Sequence, residues 1–252
     1  MVVLTALPTP FIVGVVVENT PGRAAQSVQA CFQEGADAVE LNLPPLKKTS
    51  SLLFSGGPVY TSYRRSAFMA VYGKAFTDLP PLSDEERMHL QIEALDKGSA
   101  GLDIEADTFA PSADEWTSQR TAIQRQLAVV EQARRRGRTI IFSWHPPRKL
   151  TFAEARKKAS LLHERGADFV KIVERVKSTS EALNSLAISV VLKEELDFPF
   201  VFLALGEPAV RFRPLMTHFG NSYALCRAKK GANQLPAQPL ITKVKALHAA
   251  LF

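Results

Sequence analysis

The chain predicts a parallel α/β fold, a closed (β/α)8 barrel of the TIM type. Three observations support this. Short β-branched apolar segments alternate with capped or amphipathic helical segments along the whole chain. The length of 252 residues suits one barrel core. Neither a glycine-rich dinucleotide fingerprint nor a phosphate loop supports a doubly wound sheet instead. One domain over residues 1–252 is expected, because no change of composition marks a second.

The elements follow in order. Residues 11–17 are apolar and β-branched, and residues 21–33 form an amphipathic helix behind the cap signal Asn19-Thr20. Residues 36–43 and 58–63 read as strands. Ser83 begins a helix to about Lys97, with Glu86 three residues on completing a capping box. Residues 101–105 are strand, and 112–135 read as one long polar helix. Strands at 139–144, 168–173, 198–205 and 222–227 then alternate with helices at 151–165, 178–192 and 242–251.

Composition narrows the function classes. With 46% hydrophobic and 22% charged residues the chain can bury a sizeable core, and no apolar run is long enough to span a membrane. The apolar start lacks a basic leader and is broken by Pro8 and Pro10, so a cytoplasmic location is expected. Cys31 and Cys226 match no metal or disulfide spacing and read as core residues. The net charge of +6 comes from scattered pairs and triplets such as Lys47-Lys48 and Arg134-Arg135-Arg136, without aromatic interleaving. That pattern is a solvated surface rather than a nucleic-acid site, although its field would attract a small anion.

Catalytic groups of such a barrel sit at the C-terminal ends of its strands, so polar residues there carry weight. Lys171 interrupts the apolar run Phe169-Val170-Lys171-Ile172-Val173. Burial disfavours an ammonium, and the neutral amine is the form that attacks carbonyls to make Schiff bases. A strand-end lysine that reaches water or pairs with a carboxylate is the structural alternative. Glu40 and Asn42 share one face of the second strand by its period of two, and Arg64 ends the third. Asp103 and Glu105 end the fourth, His145 the fifth, and Arg211 and Arg213 follow the seventh. A histidine and a strand lysine on consecutive strands supply the amine and the proton shuttle that Schiff-base chemistry needs.

At these residues the chain resembles the type I 3-dehydroquinate dehydratases, class I aldolase-like barrels that form a Schiff base. Gly35 to Asn42 looks like the family's GAD-hydrophobic-VE-x-R segment, and Leu82 to Gly98 is similar to its LSDEER helix. Ser143-Trp144-His145 resembles the SYH motif of the catalytic histidine, and Gly166 to Val173 the GAD-x-VKI motif of the Schiff-base lysine. Leu205-Gly206 through Arg213 resembles MG-x-x-G-x-x-SR, whose arginine binds the substrate carboxylate. Phe219 to Ser222 looks like the GS turn, and Leu235 to Gln238 like the APGQ segment, whose glutamine closes over the substrate.

The resemblance implies Lys171 as the imine-forming amine and His145 as the acid-base group. It implies Glu40, Asn42, Arg64, Arg213 and Gln238 around a small anionic cyclic oxo acid, with no cofactor and no metal. No nucleic-acid or membrane partner is expected, and a homodimer is left open. The recognition shell departs from the family. Asn42 stands where an arginine is usual, Ala209 replaces a glycine, Phe212 replaces the serine before Arg213, and Gln234 replaces the lid serine. The EGG glutamate that assists the histidine has no counterpart, a longer apolar segment over residues 65–74 standing in its place. Conversion of 3-dehydroquinate to 3-dehydroshikimate, a shikimate-pathway step, is therefore expected with impaired activity. The alternatives are a Schiff-base lyase or aldolase acting on a different oxo acid, and a non-catalytic ligand-binding descendant.

Overall fold

Eight strands lie parallel in one sheet: β1 (Phe11–Val16), β2 (Ala38–Asn42), β3 (Val59–Ser62), β4 (Gly101–Glu105), β5 (Thr139–Trp144), β6 (Phe169–Arg175), β7 (Phe200–Leu205) and β8 (Tyr223–Cys226). Their order is β7-β6-β5-β4-β3-β2-β1-β8, so the sheet curls round until its first and last strands meet. The structure, a computed structural model, describes residues 3–44, 46, 49–65, 82–229 and 237–251. Between β7 and β8 the short segment leading into β8 bridges the seam. Asn221 accepts from Phe202 N at 2.9 Å and donates to Phe202 O at 3.0 Å, while Ser222 N donates to Phe200 O at 2.8 Å. A side chain thus satisfies backbone groups that a regular ladder would pair.

Helices α1 (Pro21–Gln33), α2 (Asp84–Asp96), α3 (Arg120–Arg135), α4 (Phe152–Glu164), α5 (Thr179–Glu195) and α6 (Ile241–Leu251) alternate with the strands. Their starts are encoded locally. Thr20, Thr151 and Ser178 accept from the backbone N–H three residues on, and Ser83 with Glu86 closes a full capping box. Such caps contribute about 1 kcal/mol each. Outward strand residues pack against the helices in two large apolar clusters, around Trp144, Ile140 and Phe142 on one side and Leu41, Val39 and Cys31 on the other. Gly14 lets α1 approach β1 closely, because a Cβ there would meet the Cys31 side chain at 2.6 Å.

The barrel interior is a third cluster, built from alternate strand positions: Phe11, Val13 and Val15 of β1, Ile141, Phe169, Val173, Val201, Leu203 and Tyr223. Its lower half is apolar and packed, with Phe11 against Phe169 edge-on at 5.8 Å. Parallel register then carries the polar residues to the upper end in rows. Val15, Glu40 and Tyr60 are neighbours across β1–β3, Asn42, Ser62 and Asp103 across β2–β4, and Glu105, Ser143 and Lys171 across β4–β6.

The expected element order stands throughout, with one correction. The predicted helix over residues 112–135 begins only at Arg120. Before it, Ser112 takes the Trp116 N–H on its hydroxyl at 3.0 Å, Asp114 O accepts from the Trp144 indole at 2.6 Å, and Glu115 has φ 52°. These contacts hold a turn against a polar run whose local preference reads as helix, tertiary structure overriding propensity.

Candidate active site

The upper mouth of the barrel holds a small cavity lined, among the described residues, by Glu40, Arg64, His145, Lys171, Arg213 and Gln238 and by the apolar residues Val15, Val173, Leu203, Leu205 and Leu225. Six of the seven expected site residues therefore meet in one place. Asn42 does not line this cavity. It is 1% exposed, and neither amide atom has a hydrogen-bond partner among the described residues.

Lys171 is 2% exposed, and its Nζ lies 2.6 Å from Asp103 and 3.2 Å from Glu40. The flanking residues of β6 are apolar, as expected, but the side chain crosses the barrel to two carboxylates contributed by β2 and β4, so the carboxylate pairing left open by the sequence is the one present. A buried ammonium needs such partners, because desolvation without them is costly.

Glu40 is fixed in turn by Tyr60, whose hydroxyl donates at 2.7 Å, and by Ser62 at 3.0 Å. Burial alone would raise its pKa, but Lys171 and Arg64 outweigh burial and hold the carboxyl below the usual carboxylate range. Burial and the Glu40 charge push the Tyr60 phenol well above its ordinary value, so it serves as a donor.

Arg64 lies fully inside the mouth. It pairs with Asp103 at 2.7 Å, donates to Ser143 at 2.6 Å and places Nη1 at 3.3 Å from His145 Nδ1. Ser143 also donates to Asp103 at 2.5 Å, closing a ring of contacts around that carboxylate. Outside this ring Arg87 of α2 reaches Glu105 at 2.5 Å and Asp84 at 2.6 Å, and Arg65 reaches Asp107 at 2.5 Å and Asp84 at 2.9 Å. The charges thus alternate in sign from the cavity outward.

His145 is 6% exposed. Burial pulls its pKa well below the ordinary histidine value, and the nearby cations Arg64, Lys171 and Arg175 act in the same direction. The ring is therefore neutral at neutral pH, the state in which an imidazole can accept a proton. Its Nδ1 also lies 3.6 Å from Glu115.

Gly206, with φ 136°, turns the chain after β7, and a Cβ there would fall on the Val176 carbonyl oxygen. The turn leads to Arg213, which is buried in the cavity wall, whereas Arg211 remains exposed on the surface. Gln238 is also buried, and its carbonyl accepts from Arg227 at 3.1 Å. Gln234, Leu235 and Pro236, and residues 66–74 of the apolar segment that replaces EGG, lie outside the described residues.

Sequence reasoning missed Tyr60, Ser62, Ser143, Arg87 and Glu115. Two of these had a signal: Tyr60 and Ser62 alternate on β3 as Glu40 and Asn42 do on β2. Arg87 carries only a helical signal in the sequence, and Glu115 lies in a polar stretch that predicts helix but forms a turn.

With this geometry in view, the chain matches the family model of Type I 3-dehydroquinase over residues 12–252. No curated protein sequence matches it. Among solved structures it is similar to 3-dehydroquinate dehydratase from Geobacillus kaustophilus, with 17% identity, TM-score 0.78 and coverage of 96% of this chain and 91% of that one. The type I enzyme from Clostridium difficile, solved with covalently modified comenic acid, gives 16% identity, TM-score 0.76 and coverage of 98% and 93%. The Aquifex aeolicus enzyme gives 17% identity, TM-score 0.69 and coverage of 96% and 99%. At these identities the structural likeness speaks for the barrel.

Proposed function

The chain belongs to the type I 3-dehydroquinase family, and from that premise we propose that it dehydrates 3-dehydroquinate to 3-dehydroshikimate through a Schiff base on Lys171. The observation that carries this reading is the buried Lys171 amine in the same cavity as a neutral His145 and the cationic Arg213.

Attack on the ketone needs the free amine, and Asp103 at 2.6 Å is the nearest acceptor for the proton that Lys171 must release. Addition gives a carbinolamine, and loss of its hydroxyl as water leaves an iminium ion. The iminium withdraws electrons from the neighbouring carbon, and His145 removes a proton there. Protonated His145 then returns a proton to the departing β-hydroxyl, which leaves as water, and hydrolysis of the imine restores Lys171. Arg213 supplies a charge-assisted contact for the substrate carboxylate, and Gln238 a polar contact from the closing segment. Glu40, already taking hydrogen bonds from Tyr60 and Ser62, keeps the iminium side of the site negative. Placement of the reaction in aromatic biosynthesis follows from the same substrate assignment.

A second reading, Schiff-base chemistry on a different cyclic oxo acid, is favoured by Asn42, whose amide stands where the family carries a cation. One experiment separates the two. Incubation with 3-dehydroquinate and borohydride should add the mass of the reduced adduct at Lys171, with none in Lys171→Ala. An adduct on another lysine would overturn the assignment. No adduct with 3-dehydroquinate, but one with another oxo acid, would move the protein to the second reading.

A further inference from the structure

Among the described residues two groups of opposite charge approach the Nδ1 of His145. Arg64 can only donate, so its 3.3 Å contact requires the lone pair at Nδ1 and leaves the ring proton on Nε2. Glu115 lies 3.6 Å from the same nitrogen, just beyond hydrogen-bond distance; an ionised Glu115 can only accept, so closing that approach into a hydrogen bond would need the proton at Nδ1 and leave the lone pair on Nε2. Only the second arrangement gives a base on the side of the ring away from Arg64.

Glu115 is held in place at some expense. Its φ of 52° lies in the left-handed region, which a non-glycine residue adopts only under local constraint. The constraint is visible: Glu115 N donates to Ser112 O at 3.1 Å, Ser112 Oγ accepts from Trp116 N and donates to Trp116 O, and Ser112 N donates to Asp107 at 3.0 Å. The turn aims the Glu115 side chain, 35% exposed, at the mouth of the barrel.

We propose that Glu115 is the positioning residue of His145. When ionised it takes the hydrogen bond from Nδ1–H and sets the ring as a base at Nε2; when protonated it leaves Nδ1 to Arg64. This rests on the reading of His145 as the acid-base group. It gives the histidine a carboxylate partner from the loop after β4, where the motif that would supply one after β3 is absent.

The charged surroundings make this a switch within the neutral range. Burial, together with Glu105 and Asp107, raises the Glu115 pKa to about 7, with Arg64 and Arg65 offsetting part of the rise. Burial, with Arg64, Lys171 and Arg175 facing the ring, holds the His145 pKa well below the ordinary histidine value. Below about pH 7 Glu115 carries its proton and the base form is lost, so activity rises as pH increases through that value.

The test reads the tautomer directly. The protein with ¹⁵N-labelled histidine is titrated by NMR, and the His145 signals are identified by their loss in His145→Gln. The expected result is a change from the Nε2–H to the Nδ1–H form with an inflection near pH 7 in the parent, no such change in Glu115→Gln, and a displaced inflection in Glu115→Asp. A tautomer fixed across the range in the parent, or an inflection unaltered in Glu115→Gln, would overturn the proposal. The isosteric amide keeps the Ser112 turn, which uses no side-chain atom of Glu115. Because the readout needs no substrate, it holds even if 3-dehydroquinate proves to be the wrong substrate. With a turned-over substrate, Glu115→Gln should lower kcat about 10-fold with KM unchanged and remove the rising limb of the pH profile.

Discussion

Two halves of the barrel mouth face one cavity with opposite chemistry. Strands β7, β8 and β1 present Leu203, Leu205, Leu225 and Val15, with Arg213 and Gln238 entering from the segments after β7 and β8, while β2 through β6 and the residues that directly follow them present Glu40, Arg64, His145 and Lys171 beside the apolar Val173. The apolar wall excludes water and lowers the local dielectric, which strengthens every charge interaction opposite it and raises the cost of any unpaired charge. The charged arc meets that cost by pairing: Lys171 and Arg64 share Asp103, and Arg87 and Arg65 hold the next carboxylates outward. The wall sets the medium, and the arc sets the protonation states that the proposed chemistry needs.

The sharpest break in that comparison is Lys171→Ala. Turnover should fall to background and borohydride should trap nothing, since no other amine lines the cavity among its described residues. The variant should also be less stable, because Asp103 and Glu40 lose a cation; removing one partner of a buried pair typically costs about 3–5 kcal/mol. Arg64 still faces Asp103, so the loss should lie toward the lower end. Mass spectrometry after reduction and a denaturant melt check the two parts separately.

His145→Ala comes next. It removes proton transfer but leaves the amine, so turnover should slow by about 10²-fold or more while the Lys171 adduct still forms with substrate. Accumulation of the unreduced imine, seen by rapid quench with borohydride, is the expected signature. Turnover at the parent rate would show that another group moves the proton.

A pair of variants compares the two halves directly. Arg64→Gln leaves Asp103 and Glu105 short of a cation, and Leu203→Ala opens a cavity in the wall; each should cost a few kcal/mol, about 3–5 and about 2–5 respectively. Their pH dependence should differ in sign of cause. Arg64 is one of the cations that hold the Glu40 carboxyl below the usual range, so its loss raises the folded-state pKa of Glu40, and the Arg64→Gln deficit should shrink as pH falls through the carboxylate range and Glu40 takes up a proton. The Leu203→Ala deficit has no titrating group behind it and should stay flat. Denaturant melts at neutral and mildly acidic pH would decide this, and parallel curves for the two variants would show that the arc is not held by charge.

The two halves also differed in how far they could be read from the sequence. The arc was legible because its polar groups stand out against apolar strands: Lys171 within β6, Glu40 within β2 and His145 directly after β5. The wall was not, because Leu203 and Leu225 look like any other core residue until the barrel closes and gives each strand an inner face. The fold itself was legible from alternation and capping, with Ser83 and Glu86 marking α2 to within a residue. What failed was the stretch before α3. Its polar sequence suits a helix, and only the Trp144 indole and the Ser112 hydroxyl, both satisfied by tertiary or turn contacts, hold it as the loop that carries Glu115.

Asn42 tests the boundary between the halves with the smallest expected effect. Its amide is buried without a partner among the described residues, and an unsatisfied buried polar group costs about 1–3 kcal/mol. Asn42→Leu, which removes that group, should therefore leave stability unchanged or raise it by about 1 kcal/mol. Asn42→Arg should lower it by placing a cation where the paired carboxylates are already taken by Lys171 and Arg64. If the amide is kept for the substrate, Asn42→Leu should raise KM by about 10-fold, the equivalent of one lost hydrogen bond, with kcat little changed. A gain in stability with KM unaltered would instead place Asn42 with the apolar half: a residue in the arc by strand position, but outside the chemistry of the cavity.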